Sequence, residues 1–238
     1  MGVRLRAASV RGPAHAEADV PNQDAVLIRQ GRWGWLAAVS DGMGSRSHAD
    51  IGARTVCKAA LDSVRQLHFD CTDMAWVEAL ESNWLNRLNK LRITANDAVA
   101  TCLLAWGLPD GRFRLAQLGD GLILGHPAPA RGLVSRDAGA FGNLTRGLGL
   151  SWRIEDWRFD SGRLLATSDA LVLMTDGIAD DLGNTDGLVS MLARELRNRG
   201  ARSARVALTR DLTDWPTAHH SDDKSVAIIY RVCKETQR

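Results

Sequence analysis

The sequence predicts an α/β fold of the α+β kind, with two packed, mainly antiparallel sheets and helices on their outer faces. Three observations carry that prediction. Strand-like and helix-like segments come in blocks and do not alternate one by one, which excludes a doubly wound sheet. Two long segments have broad apolar stripes at helical spacing, and each needs something flat to cover. The run Trp35-Leu36-Ala37-Ala38-Val39 is apolar without alternation, as expected of a strand covered on both faces.

Taken in order, residues 3–10 read as a first strand, and 25–29 with 33–40 read as a hairpin across Gln30-Gly31-Arg32. Between residues 47 and 67, Ile51, Val56, Ala59, Ala60, Val64 and Leu67 recur at helical spacing, and Ser47 with Asp50 reads as a capping box. A second helix begins near Thr72 or Asp73 and carries Trp76, Leu80, Trp84, Leu88, Leu91 and Ala95 on one stripe. Residues 98–108, 112–118 and 122–125 read as consecutive antiparallel strands, broken by Pro109-Asp110-Gly111 and Gly119-Asp120-Gly121. Strands at 154–159 and 170–175, a helical stretch at 186–199 and a closing strand at 226–233 complete the pattern.

The composition bounds the possibilities. A chain of 238 residues with no low-complexity linker and 22 glycines against 6 prolines reads as one domain, residues 1–238. With 30 basic and 28 acidic side chains the formal charge is +2, too small to attract nucleic acid or an anionic membrane. Arg202 and Arg205 read as residues of a solvated helix. Cys57, Cys71, Cys102 and Cys233 form no CxxC pair and read as reduced thiols in or near the core. No stretch reaches about 18 consecutive apolar residues, no secretory leader is evident, and Arg6 stands where a myristoylation signal needs Ser or Thr. The expectation is a cytoplasmic protein without stable membrane association.

The chemistry lies in a recurring device. Val39-Ser40-Asp41-Gly42, Leu118-Gly119-Asp120-Gly121 and Met174-Thr175-Asp176-Gly177 each place an Asp-Gly pair at the end of an apolar run, and Asp222-Asp223 precedes the last one. Alone, each pair reads equally as a turn in which Asp bonds to local backbone. Together, strands ending at one rim would gather carboxylates that repel unless cations hold them, and hard oxygen donors suit Mg²⁺ or Mn²⁺. Asn22-Gln23-Asp24 adds a polar tripeptide suited to supporting such a site through water or a ligand carboxylate. Arg11 and His15, just upstream, are candidates for contacting phosphate or protonating a leaving group, or else are exposed loop residues. His219-His220 lacks the partners of a zinc site, and Gly42-Met43-Gly44-Ser45 lacks the pattern of a phosphate-cradling loop. No GxSxG elbow supports a serine hydrolase.

The ordered set Pro21-Asn22-Gln23-Asp24, Val39-Ser40-Asp41-Gly42-Met43-Gly44, Leu118-Gly119-Asp120-Gly121, Leu173-Met174-Thr175-Asp176-Gly177 and Asp222-Asp223-Lys224-Ser225-Val226 resembles the PP2C-type (PPM) metal-dependent protein phosphatases, especially compact bacterial members. The resemblance implies a four-layer alpha-beta-beta-alpha sandwich and hydrolysis of phosphoserine or phosphothreonine by a metal-activated water, with Mn²⁺ or Mg²⁺ as two core ions and a third, weaker one. It implies that Asp41 bridges the core ions, that the Gly42 carbonyl, Asp176 and Asp222 complete their ligation, that Asp24 acts through water and that Asp120 holds the third ion. A phosphorylated protein, linked to a serine/threonine kinase or its target, is the implied partner. The chain departs from the family at Gln23, commonly acidic; at Asp19, commonly a phosphate-holding Arg; at Ser45, commonly Gly; and at Asp223, commonly Asn. The active-site flap, 137–154, is short. The departures at Asp19 and Gln23 prompt one alternative, a phosphoprotein-binding module without turnover, and another metal-dependent phosphoesterase is a second.

Overall fold

Successive side chains of a strand point to opposite faces, so a strand that is apolar at every position has to be covered twice. Several strands here meet that condition, and the layers follow from it. The computed structural model describes residues 2–126, 146–183, 185–216 and 221–232. Cys233, His219, His220 and the 137–145 part of the short flap lie outside the described residues.

The chain runs β1 (Gly2–Val10), α1 (Pro13–Glu17), β2 (Asp24–Gly31), β3 (Gly34–Asp41), α2 (Ala49–Gln66), α3 (Asp73–Leu91), β4 (Cys102–Gly107), β5 (Arg112–Leu118), β6 (Leu122–His126), β7 (Arg158–Arg163), β8 (Ala170–Met174), α4 (Asp176–Ala179), α5 (Leu188–Arg197), α6 (Ala201–Thr213) and β9 (Lys224–Val232). One sheet is ordered β1-β9-β8-β6 and the other β2-β3-β4-β5-β7, with every pairing antiparallel. The predicted four-layer sandwich is what forms.

Three cores separate the layers. Between the sheets lie Val3, Leu5, Trp35, Ala37, Val39, Leu103, Leu115, Leu171, Leu173 and Ile229. The other faces of the same strands turn outward: Leu36, Ala38, Leu104 and Trp106 pack under the stripes of α2 and α3. Val172, Met174, Ile228 and Tyr230 pack against α5 and α6. Trp84 of α3 is fully buried and donates its indole N–H to the Gly52 carbonyl of α2 at 3.2 Å. Gly52 also lets the Ala98 backbone pass close to α2, since a Cβ there would sit 2.1 Å from the Ala98 carbonyl oxygen.

Several expectations are corrected. Segments 112–118 and 122–125 are not neighbours: β5 pairs with β4 and β7, whereas β6 pairs with β8 in the other sheet. Gly119-Asp120-Gly121 is therefore a crossing between sheets, and both glycines have positive φ, +91° and +93°. The Ser47/Asp50 capping box does not form; His48 occupies the cap position without a side-chain cap bond, and the Ser47 hydroxyl pairs with His48 Nδ1 at 3.0 Å. The cap at Thr72 does form, accepting from the Ala75 N–H. The hairpin turn falls at Arg32-Trp33. The strand expected at 154–159 starts later, after a single 3-10 turn at Ile154–Asp156. The helical stretch at 186–199 is α5 alone, and Arg202 and Arg205 lie exposed on the separate helix α6.

Trp84→Ala removes a buried indole whose surroundings belong to two helices and a sheet, so it is expected to cost about 3–5 kcal/mol of stability. Urea denaturation measures this, and a loss below about 1 kcal/mol contradicts the packing described.

Candidate metal centre

The acidic residues arrive at one rim because the strands and turns that carry them end there. β2 and β3 pair with Asp24 opposite Asp41, so two carboxylates from separate motifs begin as cross-strand neighbours. Asp41 is fixed by Thr101, whose hydroxyl accepts the Asp41 N–H at 2.9 Å and whose N–H donates to the Asp41 carbonyl at 2.8 Å. Asp120 sits on the crossing between sheets. Asp176 follows β8 as the first residue of α4, and Asp222 precedes β9, the partner of β8.

Ligand atoms of Asp41, Asp120 and Asp176 lie within 4.8 Å of one another, and so do those of His15, Asp222 and Asp223. Asp222 joins the two groups electrically, since its charge raises the pKa of both Asp41 and Asp176. Among the described residues no Lys or Arg forms an ion pair with Asp41 or Asp176. The Gly42 carbonyl accepts no hydrogen bond among the described residues, while the Gly42 N–H donates to Gln23. A set of carboxylates and one free carbonyl is a hard-oxygen donor set, and it suits a divalent cation better than a soft metal.

Electrostatics agrees. Burial, then repulsion from Asp24, Asp176, Asp222 and Asp120, holds the Asp41 carboxyl well above the ordinary carboxylate range. Asp176 is pushed up to about 7, by burial first and then by Asp120 and Asp222, against the hydrogen bond from the Gly177 N–H. Asp24 is pushed up to about 8 by burial, although the Thr175 hydroxyl donates to its Oδ2 at 2.8 Å. Without cations the cluster takes up protons instead.

The remaining predicted residues fall into two classes. His15, on α1, joins the cluster: its Nδ1 lies 2.8 Å from Asp223 Oδ2 and 3.9 Å from Asp222 Oδ1. Arg11 does not reach the carboxylates of the rim; its guanidinium donates to the Val20 carbonyl and lies 3.8 Å from Asp19. Sequence reasoning passed over Thr175, Thr101 and Lys224, and it noted Asp223 only as the neighbour of Asp222 and a departure from Asn. Thr175 bridges Asp24 and the Ser225 N–H, and the buried Lys224 ammonium donates to the Asp222 carbonyl at 2.9 Å. Thr175 and Lys224 stood inside the quoted motifs, but neither motif says what its polar side chain bonds to.

Raised carboxyl pKa values have a consequence for stability. Between about pH 4 and pH 8 the folded, metal-free protein holds protons on Asp24 and Asp176 that the unfolded chain, with ordinary values near 3.8, releases. Their contribution is full below the unfolded value and fades as pH rises through about 7 and 8. The melting temperature in chelator is therefore expected to fall from pH 6 to pH 8, and millimolar Mn²⁺ or Mg²⁺ should shrink that fall. A melting temperature in chelator that rises over the interval contradicts the assignment.

Comparison with known proteins follows the same line. No protein of curated function matches the chain in sequence. Among solved structures, the serine/threonine phosphatase Stp1 from Staphylococcus aureus is similar with a TM-score of 0.68 at 14% identity, over 98% of this chain and 96% of that one. PppA, a regulatory component of the type VI secretion system in Pseudomonas aeruginosa, is similar with a TM-score of 0.63 at 18% identity, over 97% and 98%. The catalytic domain of the phosphatase PstP, solved with two manganese ions, gives 0.64 at 17% identity, over 98% and 99%. At these identities the likeness shows the fold. The family model described as Protein phosphatase 2C matches residues 11–215, most of the chain and every acidic motif up to Asp176. The chain belongs to the protein phosphatase 2C family.

Proposed function

We propose that the protein is a single-domain, metal-dependent phosphatase that hydrolyses phosphoserine and phosphothreonine in proteins. The observation that carries the reading is the convergence of Asp41 from the end of β3, Asp120 from the crossing between sheets and Asp176 from the start of α4, on one rim beside Asp222. The family membership and the two manganese ions of the PstP structure support divalent cations there. Bound Mn²⁺ or Mg²⁺ would acidify water and offset charge on the phosphoryl oxygens.

The residues of this chain supply the geometry. Asp41, at the centre of the repulsion, would hold the core ions together with the Gly42 carbonyl, Asp176 and Asp222. Asp24, buried opposite Asp41 and held by Thr175, would act on the metals through water. Asp120, on the crossing loop and near Asp41 and Asp176, would hold a third ion. His15, beside Asp222, is the candidate to protonate the departing serine or threonine oxygen. Arg11 is the candidate for a phosphate contact, since it lies beside Asp19, where the chain lacks the arginine that the family resemblance leads one to expect. The partner is a phosphorylated protein in the cytoplasm; among the described residues no helix is long and apolar enough to cross a membrane.

Phosphate release from phosphoserine and phosphothreonine peptides, with Mn²⁺, Mg²⁺ or chelator, tests this reading. Activity is expected with either metal and not with chelator. Asp176→Asn keeps a side chain able to cap the turn at α4 but removes an anionic donor. It should stay folded, bind core metal more weakly in calorimetry and turn over at least about 100-fold more slowly. Near-normal turnover with intact metal sites in D176N, or wild-type turnover after complete metal removal, rejects the proposal.

A further inference from the structure

Asp223 lies beside the proposed ligand Asp222, yet its own oxygens are already engaged. It is 2% exposed. Oδ1 accepts the Gly12 N–H at 2.6 Å; Oδ2 accepts the Gln23 N–H at 2.6 Å and lies 2.8 Å from His15 Nδ1. His15, Asp222 and Asp223 stand close enough together to hold a cation, but a cation on Asp223 would have to displace two backbone donors and an imidazole. The oxygens that accept backbone N–H groups are acceptors toward the ring as well, so Nδ1 is the nitrogen that carries the proton. Nε2 is left without a hydrogen bond among the described residues.

The backbone under His15 is held in the same way. Ala14 N–H donates to the Ser221 carbonyl at 3.0 Å, and a Cβ on Gly12 would sit 2.2 Å from the Asp222 carbonyl carbon. The start of α1 is thereby fastened to residues 221–223, and the ring is fastened to Asp223. An asparagine cannot do this. Its single acceptor oxygen can serve one side, and whichever way the amide turns, its NH₂ group opposes either the Gly12 or the Gln23 N–H.

We infer that Asp223 is the positioning residue of His15, holding the ring through Nδ1–H so that Nε2 is the nitrogen that meets the substrate oxygen and, when the ring carries a second proton, hands that proton to the leaving group. The catalytic half of this inference rests on the proposed phosphatase function; the tautomer half does not. His15 acts on the leaving group and Asp223 reaches the leaving group through His15, so the two residues should behave as a unit in leaving-group protonation.

The test is a cycle of Asp223→Asn, His15→Ala and the double substitution, assayed on a serine phosphopeptide and on an aryl phosphate, with ¹⁵N NMR of the imidazole. In the wild-type protein the neutral His15 ring should carry its proton on Nδ1, and D223N should lose that preference. D223N should slow phosphopeptide turnover roughly 10-fold or more, within the range of lost supporting contacts. The aryl phosphate, whose leaving group needs little protonation, should be affected much less. The double variant should be no slower than H15A. A wild-type Nε2–H tautomer overturns the inference even if D223N does not fold, and so do additive losses or equal losses on both substrates. If neither substrate is hydrolysed by the wild type while the Nδ1–H form holds, the phosphatase reading falls and the positioning of His15 by Asp223 stands.

Discussion

The structure depends on one unfavourable interaction, the repulsion among carboxylates gathered at a single rim. Two unit charges about 4 Å apart repel by about 4 kcal/mol at an effective dielectric near 20. Asp41 faces Asp24, Asp176, Asp222 and Asp120 together, and the charge of each raises the Asp41 pKa. The sandwich tolerates this repulsion because its apolar layers bury strands on both faces and leave the polar cost to the loops at one end. Protons relieve the repulsion in the absence of metal, and a divalent cation relieves it more fully. The same crowding that strains the fold is what a divalent cation held there would relieve.

Holding that rim in register falls to short polar contacts between distant segments. Thr101 pins Asp41, Thr175 links Asp24 to β9, and Asp223 ties the 12–23 segment to the start of β9. Gly177 belongs to the same set, since a Cβ there would lie 2.1 Å from the Asp223 carbonyl oxygen. Asp222 and Asp223 divide the work. The first keeps a half-exposed carboxylate beside the cluster, and the second is buried under three donors.

What was legible in the sequence was whatever repeats locally. Trp35 to Val39 showed double-sided burial because every position is apolar, and the stripe through Trp76, Trp84 and Leu88 showed a helix because its spacing is regular. The crossing at Gly119-Asp120-Gly121 was misread as a hairpin because a turn signal states that the chain bends and not which sheet it enters next. Helix α1, five residues with nothing buried, has no stripe to detect, and α6 carries only Ala204, Ala207, Leu208 and Leu212 inward. The acidic motifs were visible one by one, but their convergence was an inference from strand ends. The link from His15 to Asp223 spans 208 residues, and no periodicity records a contact at that separation.

The central claim is that this rim of carboxylates is a divalent-cation site. Anomalous diffraction from crystals grown with Mn²⁺ tests it most directly. The account predicts at least two manganese peaks within coordination distance of Asp41, Asp176 and Asp222, with Asp223 still bonded to Gly12, His15 and Gln23. Crystals whose rim holds no manganese peak at millimolar Mn²⁺, or whose peaks lie on other residues, would contradict it.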